Sequence, residues 1–154
     1  MNKTNKQKMP VGMILILILI GWGAVSLLIA LRNPVSQLGP ILLTGVEAAT
    51  INLIIFAILG VIFFGIIKRF ILARKLAIGW YIISMVLSLI NLLSFMANKT
   101  MYNEYYNKIL APEMAALMTS SVITISLIMT LVFGWIIGII IIVYLLKKKD
   151  FFTN

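Results

Sequence analysis

Cysteine and histidine are both missing from this 154-residue chain, and only four residues are acidic. Without cysteine there can be no disulfide framework, no thiol redox chemistry and no lipobox for lipid attachment. Without histidine the commonest metal ligand and the usual general base are gone, so Cys/His zinc sites and His-ligated haem are excluded. Charged residues of both signs make up 11% of the chain. A soluble domain uses roughly a quarter to cover its surface. The same inventory removes the familiar intramembrane chemistries. An aspartyl protease needs two embedded aspartates, and Asp150 stands alone near the end of the chain. A Ser-His dyad or an H-E-x-x-H site needs histidine. Small multidrug exporters use a buried acid in an early span, and the first apolar run has none. No enzyme activity and no cofactor are expected.

What is present in quantity is apolar: 62% of residues, at a mean hydropathy of +1.13. They come in charge-free runs that predict spans at about 11–31, 48–67, 76–97 and 122–146. Each is about 20 residues or slightly more, the length an α-helix needs to cross a hydrocarbon core of ~30 Å. An open strand would leave unpaired backbone groups in lipid, and the alternation of a membrane barrel is absent. The reading is therefore an all-α polytopic membrane protein, a single membrane domain with four transmembrane helices in a bundle. The last run, from Met114 to Leu146, is too long for one upright crossing. Pro112 and Glu113 read as a helix start, with the first turns outside the bilayer. Extra tilt or a break near Ser120–Ser121 are the alternatives.

Between the spans, residues 32–47 hold two prolines and two glycines. The expectation is an irregular connection that dips into the interface around Ile41. Further on, Tyr102, Tyr105, Tyr106 and Ile109 recur at i, i+3, i+4 and i+7. This predicts a short amphipathic interfacial helix before the fourth span, with its tyrosines at headgroup level.

The few charges are sorted by side. The segment before the first span, the turn at 68–75 and the C-terminal tail hold ten of the 13 Lys and Arg with one acid. The connections at 32–47 and 98–121 carry Arg32, Lys99 and Lys108 against Glu47, Glu104 and Glu113, and so cancel. The positive-inside rule puts both termini and the 68–75 loop in the cytoplasm and the other two connections outside. Lys68, Arg69, Arg74, Lys75, Lys147, Lys148 and Lys149 thus set topology and offer a surface to anionic lipids. A specific nucleotide or phosphoinositide site has no Gly-rich cradle to support it, and no nucleic-acid partner is expected. The N-terminal lysines and first span also resemble a signal peptide. The full span length and the absence of an A-x-A-like site favour a retained signal anchor.

Inside the spans only uncharged polar and small residues recur at helical spacing. Ser84, Ser88, Asn91 and Asn98 make one stripe of the third span; Ser126, Thr130, Gly134 and Gly138 make one of the fourth, ending in G-W-I-I-G. In the second, Gly45, Ala49, Asn52 and Gly60 lie roughly on one side. Such residues let backbones approach and hydrogen-bond across helices for about 0.6 to 2 kcal/mol. They read either as helix-packing seams or as a polar pathway along Asn52 and Asn91. The G-x-x-x-G stretch also suits pairing with a second copy. Glu47, at the outer end of the second span, reads as a helix-start carboxylate or as a handler of protons or cations. The tryptophans fit span ends or bundle packing, and Asn98-Lys99-Thr100 is a glycosylation sequon.

K-M-P-V-G-M-I-L-I-L at the first span, K-L-A-I-G-W-Y-I-I-S at the third and V-Y-L-L-K-K-K-D-F-F near the end form a pattern that resembles small uncharacterised four-span membrane proteins of archaea and bacteria. That resemblance implies the architecture and carries no site residues. Two functions of different class follow. One is a non-enzymatic interaction or accessory subunit in the cell membrane, packing on a membrane-protein partner or on itself. The other is a small channel or transporter using the polar stripe of the second and third spans.

Overall fold

A computed structural model describes residues 8–100 and 120–152. The amphipathic helix expected at Tyr102–Ile109 and the helix start at Pro112–Glu113 lie outside the described residues. Helices α1 (Val11–Ala30), α2 (Val46–Ile67), α3 (Ile71–Ala97) and α4 (Ser120–Lys147) dominate the chain. All four are long and apolar enough to cross a membrane. Each is apolar nearly all round, as a helix solvated by lipid must be. On α1 only Met13, Ile16, Leu17 and Ile20 are buried, at i, i+3, i+4 and i+7. Ile14, Leu15, Ile18 and Trp22 on its other faces are exposed. Pro10 starts α1, where its missing N–H is harmless, and its carbonyl accepts from the N–H of Met13 at 2.9 Å.

The helices pack in sequence: α1 on α2, α2 on α3, α3 on α4. The 68–75 segment is not a loop throughout, because α3 begins at Ile71 and takes Arg74 and Lys75 into its first turns. Only Lys68, Arg69 and Phe70 connect α2 to α3. That turn is a Schellman motif. Phe70 N–H donates to the Gly65 carbonyl at 2.9 Å and Arg69 N–H to the Ile66 carbonyl at 3.0 Å. Arg69 holds the left-handed position at φ 62°, where glycine is usual.

The irregular connection expected at 32–47 is corrected by the structure. Strands β1 (Val35–Leu38) and β2 (Ile41–Thr44) pair antiparallel, with Leu38 opposite Ile41 and Val35 opposite Thr44. The prolines do not interrupt this ladder. Pro34 precedes β1, and Pro40 sits in the two-residue turn, where its fixed negative φ follows Gly39 at φ 59°. Positive φ at the first central position is what a type II′ hairpin turn requires. Gly45 N–H then donates to the Pro34 carbonyl at 3.1 Å, closing the hairpin, and Gly45 caps α2 at φ 62°. Glu47 falls in the first turn of α2 and is exposed, beside the positive helix end.

Candidate functional site

The hairpin shows what Asn91 does. Its side-chain Oδ1 accepts from Gly39 N–H at 2.8 Å, while Gln37 Nε2 donates to the Gly39 carbonyl at 3.0 Å and to the Asn91 carbonyl at 3.4 Å. A Cβ on Gly39 would stand 3.0 Å from Ile90. The turn therefore lies flat on α3 because residue 39 has no side chain. Asn91→Leu is expected to cost about 1–3 kcal/mol, since it strands the N–H of the buried Gly39. Limited proteolysis checks this: cleavage within residues 35–44 should accelerate in the variant while the helices stay intact.

Two other members of the third-span stripe turn toward α4. Trp135 Nε1 lies 3.2 Å from both the Met85 carbonyl and Ser88 Oγ, and Ser88 in turn donates to the Met85 carbonyl at 2.7 Å. One turn further along α4, a Cβ on Gly138 would stand 3.2 Å from Met85 Sδ. Gly138 is thus a packing residue between α3 and α4. Gly134, its partner in the G-x-x-x-G stretch, faces open space, and Ser126 and Thr130 are exposed. Thr130 satisfies its hydroxyl by donating to the Ser126 carbonyl at 2.8 Å, one turn back along the helix. Asn52 is 4% exposed and its Nδ2 has no hydrogen-bond partner among the described residues.

Ser84 opens onto a cavity of about 300 Å³ near the middle of α1, α3 and α4, walled by Leu19, Tyr81, Ser88, Gly134 and Trp135 among others. A second cavity of about 210 Å³ lies between α1 and α4. Its α1 wall is Gly12, Leu15, Ile16 and Leu19; its α4 wall is Ile137, Ile140, Ile141 and Tyr144. No protein-family model, curated protein or solved structure matches this chain.

At the end of the molecule opposite the hairpin, the basic turn after α2 meets the basic C-terminal tail. After α4 a 3₁₀ turn (Lys149–Phe151) folds the tail back, burying Phe151 and Phe152 with 3% and 4% exposure. The Arg69 guanidinium lies 4.7 Å from the centre of the Phe151 ring, and that of Arg74 lies 6.0 Å from the Phe152 ring. Lys68, Lys75, Lys147, Lys148 and Lys149 are exposed around this clamp. The seven basic residues grouped by sequence thus divide in two: Arg69 and Arg74 cover aromatic rings, and the five lysines face outward. Sequence reading missed the clamp because the F-F pair could not be placed against a turn 80 residues earlier. It also missed Gly12 and Gly65, where an added Cβ would meet the Tyr144 ring and the Ala73 Cβ, because isolated glycines in apolar runs leave no periodicity to mark them.

Proposed function

We propose that this chain is a multi-pass cell-membrane protein whose four helices form a bundle, and that it works by contact, as a non-enzymatic interaction or accessory subunit. The observation that carries the reading is the outward pair of Ser126 and Thr130 on α4. Small residues there let a second helix approach closely, and no described helix covers them. Two of the polar groups a pathway would need are otherwise engaged: Asn91 holds the hairpin and Ser88 holds Trp135. The partner is a membrane protein or a second copy of this chain. Both termini are assigned to the cytoplasm, because the basic end gathers the charge that the positive-inside rule keeps there.

The natural lack of cysteine makes the test direct. Single-cysteine variants Ser126→Cys and Thr130→Cys should give one crosslinked product of defined mass in native membranes. Ile18→Cys and Leu53→Cys, on other exposed faces, should not. Equal yields at all four positions, or none, would overturn the assignment.

One observation favours the second reading, a small channel or transporter: the buried amide of Asn52, whose Nδ2 has no hydrogen-bond partner among the described residues. Asn52→Leu separates the two. It removes an unsatisfied donor at similar volume, so stability should hold or rise by about 1 kcal/mol. Solute flux in liposomes that this change abolishes would establish the transport role.

A further inference from the structure

The two cavities share Leu19 and Ile137 and so adjoin as one groove, which opens between α1 and α4 and ends inward against Tyr81, Met85 and the serines of α3. Beyond Gly134 and the serines at its inner end, its walls are apolar faces of both helices, residues 12–19 and 137–144. On α4 the same face continues past Tyr144 to Lys147 and Lys148, three and four residues on, and both are exposed. At the same end, exposed Lys8 stands just ahead of α1, the other wall. The groove therefore runs from the helix middles to a mouth lined with cations. From residue 134 to residue 148 a helix rises about 21 Å. That is about half of a bilayer's 40–45 Å thickness with headgroups, so the groove reaches from the midplane to the headgroup layer of one leaflet.

We propose that this groove is a binding site for one anionic phospholipid, with an acyl chain between the α1 and α4 walls and its phosphate against Lys8, Lys147 and Lys148. A zwitterionic lipid fits the same walls but brings no net charge to the lysines. A helix about 10–12 Å across is too wide for cavities of about 300 and 210 Å³. The proposal is independent of whether the chain is an interaction subunit. It also differs from general attraction to a charged leaflet, because it requires the tail and the head to be held together.

Trp135 lines the inner cavity and reports on the tail. In a Trp22→Phe/Trp80→Phe background it is the sole tryptophan. The protein is reconstituted into phosphatidylcholine vesicles containing either phosphatidylglycerol or phosphatidylcholine with brominated acyl chains, which quench tryptophan on contact. Brominated phosphatidylglycerol should quench half-maximally at a mole fraction at least about fivefold lower than brominated phosphatidylcholine. Lys147→Gln/Lys148→Gln should erase the difference, and Lys147→Arg/Lys148→Arg should keep it. Gly134→Leu, which fills the inner cavity, should reduce quenching by phosphatidylglycerol with helix content unchanged. Equal quenching by the two lipids overturns the site. So does a preference that survives loss of the lysines, or one that Gly134→Leu leaves untouched, which is leaflet attraction alone. Protection of Trp135 from both lipids also overturns it, placing protein in the groove.

Discussion

Phe151→Ala and Phe152→Ala should each destabilise the folded chain by about 3–5 kcal/mol, the cost of emptying a buried aromatic site. Both rings lie in the same buried cluster as Ile66, Ala73, Ala77 and Leu145, so the loss falls where α2, α3 and α4 meet. The rings stand edge to face at 5.2 Å. Such a pair adds about 0.5–1.5 kcal/mol beyond area burial, so the double variant should depart from additivity. Reversible unfolding in mixed detergent micelles measures this; a double variant that unfolds with the wild type would show the tail undocked. Arg69 gives an internal check. Arg69→Ala removes the cation–π contact, about 1–2 kcal/mol at this half-buried site, and keeps a side chain at φ 62°. Arg69→Gly removes the same contact and relieves a left-handed backbone cost of about 1–2 kcal/mol. Glycine should therefore be the more stable of the two replacements.

Gly65→Val should be the next most damaging change. A Cβ on Gly65 would fall well inside van der Waals contact with the Ala73 Cβ, across the Schellman turn. Both atoms are fixed to helix backbone, so neither can rotate aside and the helices must separate. Overpacking of this kind costs about 1–3 kcal/mol, and the branched side chain puts valine at or above the upper end. Gly12 makes a useful contrast. A Cβ there meets the tip of the Tyr144 ring, which can swing on its side-chain torsions. Gly12→Ala should be markedly milder than Gly65→Ala. Ala73→Gly should rescue Gly65→Ala and do nothing for Gly12→Ala, a double-mutant cycle that isolates the contact.

The hairpin shows how a correct inventory of residues can still mislead. Gly39-Pro40 between V-S-Q-L and I-L-L-T is a turn dipeptide between two short runs of strand-forming residues. With two prolines in 16 residues, the composition also suits irregular chain. The difference lies in Asn91 and Gln37, 54 residues apart, whose bonds hold the turn against α3. The polar stripe has the same history. Its spacing placed Ser84, Ser88 and Asn91 on one side of α3. It did not say that one would meet a hairpin, one a tryptophan and one a cavity.

Sequence by itself determined the four apolar helices and the sorting of charge, because both follow from solvation. Backbone groups in hydrocarbon must bond within their own segment, and a charge is costly there wherever it stands along the chain. Those penalties act locally, so a run of residues carries them unaided. Only the tertiary structure decided which face of each helix is inner, where glycines bring helices together, and that Arg69 and Arg74 cap two phenylalanines. Lipid tails are as apolar as leucine, so burial does not distinguish one face of such a helix from another. The choice is left to shape: the missing side chain of Gly65 opposite Ala73, and the Phe151–Phe152 pair beneath a turn that only folding brings near.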